Sequence, residues 1–373
     1  MIKITEVRSK SDLQQFIAFP DKLYKNNPHR VPQLHSFERS TLLKEKNPAF
    51  DYCEAKYWLA HKDGKIVGRI AGIINSEANK KWNEKTVRFG WIDFMDDKEV
   101  SEALIKTVEN WGIQKGMNKV VGPMGFTDMD LEGMLVDGFD ELSTQAVIYN
   151  FPYYPQHLEE YGYTKDVDWV QYEIKVPDKV PDKVVRIAEL VKQKYGLRIL
   201  EVKKPKQLLP YAGKMFDTLN EAFDHLYGFA PLTDRQKKYY VDKYFSMINP
   251  KYVSFVVDKE DDVVGFGLGF LSLSKALIKA KGKLYPFGFI KIVKDMNKNN
   301  MADLLLQAVR NEYKTKGVPA LFYAHMMQAF IDNGVKTVIS SHVLEENKNS
   351  LMMFTNGYDA RLNMRRRAYK KEL

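Results

Sequence analysis

Residues 176–184 read Val-Pro-Asp-Lys-Val-Pro-Asp-Lys-Val, and this run constrains the whole chain. Pro177 and Pro181 offer no backbone donor and push the residues before them out of the helical region. The segment is therefore expected to be an extended connector, neither helix nor central strand. It divides 373 residues into 1–178 and 179–373. Each part is long enough to bury a core of its own.

The two parts echo each other in order. In the first, Tyr57-Trp-Leu-Ala-His-Lys-Asp-Gly-Lys-Ile-Val-Gly68 reads as strand, Asp-Gly turn and strand. In the second, Ser254-Phe-Val-Val-Asp-Lys-Glu-Asp-Asp-Val-Val-Gly265 does the same. Each part then has a helix stopped by glycine. Val100, Leu104, Val108 and Trp111 stripe the first, before Gly116; Leu321, Phe322, Met326, Ala329 and Phe330 stripe the second, before Gly334. A strand follows each, then a short helix, a Gly-Tyr pair (Gly162-Tyr163 and Gly357-Tyr358) and a final strand. This is a duplicated α/β unit. Gly265-Phe-Gly-Leu-Gly269 falls within a strand, so it does not read as a dinucleotide-binding turn.

Charge separates the copies. Residues 1–178 carry 23 basic and 28 acidic side chains, a net −5; residues 179–373 carry 34 and 20, a net +14. A basic half suits a phosphorylated co-substrate or an anionic membrane, while the acidic half beside it argues against a long nucleic-acid track. No apolar run approaches the ~20 residues of a membrane span. The first residues, MIKITEVRSK, have no signal-type apolar stretch, so a cytoplasmic protein is expected. Cys53 is the only cysteine, which excludes an intramolecular disulfide and any CxxC metal site.

The order hairpin, strand, helix, strand, helix, Gly-Tyr, strand resembles the GNAT acyltransferase fold, over about 50–175 and 250–370. A narrower resemblance is to a group of bacterial tandem-GNAT proteins, some of which resemble ceramide synthases that acylate a sphingoid-type amine. Gly122-Pro-Met-Gly-Phe126, Leu135-Val-Asp-Gly-Phe-Asp140, Tyr149-Asn-Phe-Pro-Tyr-Tyr-Pro155, Asn220-Glu-Ala-Phe223, Gly228-Phe-Ala-Pro-Leu-Thr233 and Tyr285-Pro-Phe-Gly288 carry it. The resemblance implies an α/β fold of two tandem GNAT-like domains, each a mixed sheet flanked by helices. It also implies acetyl-CoA or a longer acyl-CoA as co-substrate, with no metal.

In that family a helix start after the fourth strand meets the pyrophosphate, through a turn of the form Arg/Gln-x-x-Gly-x-Gly/Ala. Lys314-x-x-Gly317-x-Pro319 is the matching stretch, with lysine keeping the charge and Pro319 in the third small position. The resemblance thus assigns Val309, Lys314, Thr315, Lys316, Gly317, Val318 and Asn347 to the co-substrate; a solvated lysine loop and an ordinary helix cap are the alternatives. The equivalent turn of the first half is Asp96-Asp97-Lys98-Glu99, which would repel phosphate. Acyl-CoA is therefore expected only in 179–373, with 1–178 on the substrate side.

N-acylation needs a deprotonated amine and a polarised thioester carbonyl. Residues 120–164 hold eight acids and no Lys or Arg. Within them Asp130 and Glu132 are candidate bases and Asp128 a candidate amine ligand, unless the loop is merely solvated. Glu221 is a second candidate base, with Asn220 as an orienting group; pairing of Glu221 with a nearby lysine is the equal alternative. Tyr153 is the candidate acid, with Tyr149 and Tyr154 beside it as substrate contacts; ring stacking is the alternative. Direct attack without a covalent intermediate is expected, since no motif surrounds Cys53.

Residues 276–294 mix large apolar side chains with lysines 279, 281, 283, 291 and 294 and no acid. The stretch suits an anionic lipid interface with lysines outward and Phe287, Phe289, Ile290 and Ile292 inward, or alternatively a cover over an acyl channel or packing between domains. It favours a lipid-like amine and a peripheral membrane location. The rival functions are a non-catalytic acyl-ligand sensor and an aminoacyl transfer from tRNA.

Overall fold

The computed structural model describes all 373 residues, apart from the side chains of Ser246 and Asn349. The chain opens with β1 (Lys3–Glu6), α1 (Lys10–Leu23) and α2 (His35–Leu42), followed by β2 (Cys53–Lys62) and β3 (Lys65–Asn75). Next come α3 (Ser76–Trp82), β4 (Thr86–Phe94), α4 (Lys98–Gln114), β5 (Lys119–Gly122), β6 (Met134–Asp137), α5 (Tyr153–Glu160) and β7 (Thr164–Lys175). The order continues with α6 (Asp182–Tyr195), β8 (Arg198–Ile199), α7 (Leu209–Phe223), α8 (Asp234–Tyr244), β9 (Val253–Val257) and β10 (Val263–Leu271). It ends with α9 (Ser274–Ala280), α10 (Gly288–Asn297), β11 (Met301–Val309), α11 (Pro319–Asp332), β12 (Thr337–Ile339), β13 (Val343–Leu344), α12 (Lys348–Thr355) and β14 (Ala360–Glu372).

Two compact units divide the chain differently from a cut at 178/179. Unit 1 is Met1–Val170, Ser274–Lys291 and Met364–Leu373; unit 2 is Gln171–Leu273 and Ile292–Asn363. Each sequence half ends on a strand, and that strand does not finish in the unit that holds most of its half. Instead the end of β14 lies in unit 1, where Tyr369, Lys370, Lys371 and Glu372 pair antiparallel with β5. The end of β7 lies in unit 2, where Glu173, Ile174 and Lys175 pair with β12. The expected connector is also shorter than its sequence suggests. Helix α6 begins at Asp182, with Pro181 just outside it, where a missing N–H costs the helix nothing.

Unit 1 orders its strands β1-β2-β3-β4-β5, and unit 2 orders β12-β11-β10-β9-β8. The β2–β3 hairpin turns at Asp63 and Gly64, both with positive φ, as the Asp-Gly pair requires. Helix α4 lays Val100, Leu104, Val108 and Trp111 on β3, all buried. A Cβ on Gly68 or Gly72 would come within 2.7 Å of Leu104 or 2.8 Å of Trp111. Unit 2 repeats the device: a Cβ on Gly267 would lie 2.7 Å from the sulfur of Met326 on α11. The Gly265–Gly269 spacing thus serves close helix–sheet packing, which is why it lies within a strand.

Both sheets contain one parallel pair that stops early. In unit 1, β4 pairs with β5 only through Thr86, Val87 and Arg88, opposite Lys119, Val120 and Val121. In unit 2, β11 pairs with β12 only through Met301, Ala302 and Asp303, opposite Thr337, Val338 and Ile339. Beyond these residues the two strands of each pair diverge.

Candidate active site

The divergence in unit 2 leaves residues 304–309 of β11 bonded to β10 alone among the described residues. A strand edge without a partner presents backbone N–H and C=O groups to any amide-bearing ligand. Asp303 stands where this edge begins. It pairs with Phe270, next to Gly269, whose missing Cβ faces Met326 of α11. Alternation along β10 therefore puts Asp303 on the face away from α11, the face on which α7 packs. Its carboxylate is buried, and neither oxygen has a hydrogen-bond partner of sound geometry among the described residues. Burial pushes its pKa up to about 7, against a weaker pull from the Ser272 hydroxyl.

The edge leads into the turn before α11. Residues 311–313 form a short 3-10 segment, and Gly317 takes φ +75°, a conformation that favours glycine. Ala320 and Leu321 N–H groups bond to the Gly317 and Val318 carbonyls. The N–H groups of Thr315, Gly317 and Val318 have no acceptor among the described residues. Free donors beside a helix start, with Lys314 and Lys316 on the same turn, are groups of the kind that suit an anion, although Val318 itself is buried. Lys316 lies over the rings of Tyr313 and Tyr195, at 4.3 and 5.1 Å. Val309 and Val318 both pack where Gly265 leaves room. The structure thus brings the expected co-substrate residues together at one end of β11. Asn347 instead caps α12, its side chain accepting the Ser350 N–H at 3.4 Å.

Glu221 and Asn220 lie on α7 with structural duties. The Glu221 carboxylate accepts the Asn311 N–H at 2.7 Å, which fixes the start of the turn. Lys314 reaches the Ala222 carbonyl at 3.4 Å, and burial lowers its pKa while Glu221 opposes the shift. Asn220 clamps Leu232 through two hydrogen bonds, 2.8 and 3.0 Å, and so pins the loop before α8.

In unit 1 the corresponding gap is filled by the chain itself. The Met124 N–H donates to the Phe89 carbonyl at 2.8 Å, and a Cβ on Gly90 would lie 2.4 Å from the Met124 oxygen. Arg88, at the divergence, donates to the Gly125 carbonyl at 3.2 Å. Asp97 caps α4 and takes the Lys62 ammonium at 2.6 Å, so carboxylates already occupy that helix start.

Asp130 closes this filler loop by accepting the Phe126 and Thr127 N–H groups. Asp128 and Glu132 stand close enough to interact. Burial, then Glu132, push the Asp128 pKa up, with Arg88 and Lys81 pulling it down. The tyrosines expected to serve the chemistry instead bind backbone and one another. Tyr153 donates to the Phe94 carbonyl at 2.7 Å, and Tyr154 accepts the Phe94 N–H at 2.9 Å and meets Tyr24 at 2.8 Å. Tyr154 stacks on Phe94 at 4.0 Å, and Tyr149 donates to the Phe139 carbonyl.

Three features escaped the sequence reading. Asp303 is one, since a lone Asp in an apolar strand carries no spacing signal. Tyr358, in the second Gly-Tyr pair, is another: its hydroxyl is buried with no partner among the described residues. The third is a pocket in unit 1, a cavity of ≈ 60 Å³ lined in part by Tyr24, Glu38, Arg69, Trp91, Asp93 and Tyr149. There the Arg69 Nε binds Asp93 at 2.7 Å, Tyr24 donates to the same carboxylate at 3.0 Å, and Trp91 donates to Glu38. Cys53 is buried, which raises its thiol pKa to about 12 and leaves it inert as a nucleophile.

No protein-family model matches the chain. It is 27% identical over 346 residues to Protein YghO of Escherichia coli, covering 91% of this chain and 87% of that one. It is 26% identical over 355 residues to the bacterial ceramide synthase of Caulobacter vibrioides, covering 93% and 91%. Among solved structures, a tandem GNAT protein from the clavulanic acid biosynthesis pathway superposes over 100% of this chain and 98% of its own. The TM-score is 0.59 and the identity 11%. The chain therefore has the fold of a tandem GNAT protein.

Proposed function

We propose that the chain is an acyl-CoA-dependent N-acyltransferase whose second unit carries the chemistry. The observation that supports this most is Asp303: a buried, unpaired carboxylate at the point where β11 loses its parallel partner. Bound acyl-CoA would supply a thioester, an acyl carbon activated toward an amine. The unpaired edge at 304–309 offers donors and acceptors to the amides of its arm. The free N–H groups of Thr315, Gly317 and Val318, with Lys314 and Lys316, suit its phosphates.

Asp303 accepts the proton of the incoming ammonium. A pKa raised to about 7 makes it a base that both takes and releases a proton near neutrality. The freed amine nitrogen forms a bond to the acyl carbon as the carbon–sulfur bond breaks. Tyr358, whose hydroxyl has no other partner among the described residues, donates its proton to the departing sulfur, and the second proton lost by the acylated nitrogen restores the Tyr358 hydroxyl, so that amide, free thiol and a protonated Asp303 remain. In unit 1, the filled gap and the acidic start of α4 argue against a second acyl-CoA site. The Asp128–Glu132 pair stays the proposed cation-binding element of that unit.

The amine is proposed to be lipid-like, supported by the name of the 26% identical relative. Among the described residues no helix is long and apolar enough to cross a membrane. A cytoplasmic, membrane-peripheral location accords with this reading.

Calorimetry with acetyl-CoA and a long-chain acyl-CoA, followed by mass spectrometry of products from a panel of long-chain and short amines, tests the reading. Acyl-CoA binding and amide formation that Asp303→Asn abolishes are expected. Absence of acyl-CoA binding would overturn the enzyme reading. Turnover of short polar amines alone would overturn the lipid-like acceptor.

A further inference from the structure

The segment running through α9, the loop 281–287 and α10 exposes what a folded chain ordinarily hides. Tyr285 is 81% exposed, Phe287 67%, Ile290 54%, Val293 52% and Phe289 45%. Of Phe287, Phe289, Ile290 and Ile292, the four expected to face inward, only Ile292 is buried, at 6% exposed. Phe289, Ile290 and Val293 share one helical face because they are one and four residues apart.

The presentation is built. Gly288 cannot be another residue, since its Cβ would lie 1.8 Å from the Lys283 carbonyl oxygen. The Phe289 N–H bonds to the Leu284 carbonyl at 2.8 Å, and the Lys291 ammonium bonds to the Lys279 carbonyl at 2.9 Å. The loop is thus tied at both ends, with its apolar side chains held outward.

Charge identifies the occupant. Lys275, Lys279, Lys281, Lys283, Lys291, Lys294 and Lys298 are all exposed along the same stretch as these apolar side chains, and Asp295 is the one acid from 275 to 298. An apolar tip flanked by cations matches a surface that is apolar inside and anionic outside. A second copy of this chain would set lysine against lysine.

We propose that residues 281–294 dock the protein onto an anionic lipid bilayer. Tyr285, Phe287, Phe289, Ile290 and Val293 enter the headgroup–acyl boundary, and the lysines contact the anionic headgroups. Two weak signals, apolar insertion and the flanking lysines, together give stable but reversible attachment. This docking is independent of the acyl-transfer reading and survives its failure.

The test is co-sedimentation of the full chain with vesicles of phosphatidylcholine and phosphatidylglycerol, in a ratio of about 3:1, against pure phosphatidylcholine. Binding to the anionic vesicles is expected, at least about tenfold weaker on the neutral ones and falling with salt. Phe287→Ser/Phe289→Ser/Ile290→Ser should lose at least about tenfold in partitioning, while its melting curve, read by circular dichroism, stays unchanged because these side chains are exposed. Lys281→Gln/Lys283→Gln/Lys294→Gln should lose the salt-sensitive part of binding. Three results overturn the proposal: no binding of the wild type, equal binding of the serine variant, or a concentration-dependent dimer in sedimentation velocity that the serine variant abolishes.

Discussion

Arg88 and Asp303 hold the same register position in their own sheets: each is the last residue of its strand to pair in parallel. Arg88 reaches the Gly125 carbonyl and helps seal the gap with the chain's own loop. Asp303, a buried carboxylate, has no charged partner among the described residues, and Ser272 is the one group that pulls on it. One duplicated fold thus places a basic side chain at one of its two equivalent points and an acidic one at the other.

Asp303 should cost the protein stability. Its pKa is about 7 in the folded chain against an ordinary 3.8, so between these values only the folded chain keeps the proton. Stability therefore falls as pH rises from about 4 to about 7 and levels off above, by on the order of 4 kcal/mol in total. Asp303→Asn should match the wild type near pH 4 and be more stable near pH 8, while losing about 10²–10³ in kcat. Urea melts across this pH range, paired with steady-state rates, check both halves.

Charge reversal separates the two helix starts. Lys314→Glu or Lys316→Glu is expected to weaken acyl-CoA binding about tenfold or more, through lost attraction at the turn before α11. Lys98→Glu, at the start of α4 and already bonded to Glu160, should leave affinity within about twofold. Calorimetry on the three variants reads this; equal losses at both starts would place a second acyl-CoA in unit 1.

Tyr358→Phe removes a hydroxyl that has no partner among the described residues. Stability should hold or rise slightly, since an unpaired buried polar group is costly. If this hydroxyl protonates the leaving sulfur, kcat falls about tenfold or more with KM nearly unchanged. Unaltered kcat would assign that proton to solvent.

The Arg69–Asp93 pair in unit 1 is buried and shared with Glu38, at 3.8 Å from the guanidinium. Arg69→Met should destabilise by about 3–5 kcal/mol, because two carboxylates lose their counter-charge. The double variant Arg69→Met/Asp93→Leu should recover part of that loss. Chemical denaturation of the single and double variants measures the difference.

Much of the fold was legible because its signals are local. The Asp63-Gly64 turn, the apolar stripe of α4 and the stops at Gly116 and Gly334 each depend on residues within one or two turns of each other. The lysine-rich turn before α11 was legible for the same reason. Asn220 and Glu221 read equally well as catalytic groups, yet they bind Leu232 and Asn311, partners that no spacing announces. The tyrosines of α5 likewise bond to the Phe94 backbone, a partner that their spacing does not announce.

By itself the sequence determined that the chain is one α/β unit written twice, because hydrophobic period and turn chemistry are properties of neighbouring residues. It also determined that positive charge gathers in the second copy and on the segment 275–298. Only the tertiary structure decided that β14 completes the sheet of unit 1 and β7 that of unit 2. Only there does β11 lose its partner at Asp303, while Met124 and Arg88 close the matching gap in unit 1. Strand pairing joins residues tens to hundreds of positions apart, and burial follows from that pairing. The chemistry available to a carboxylate is therefore set by neighbours that its own stretch of sequence does not contain.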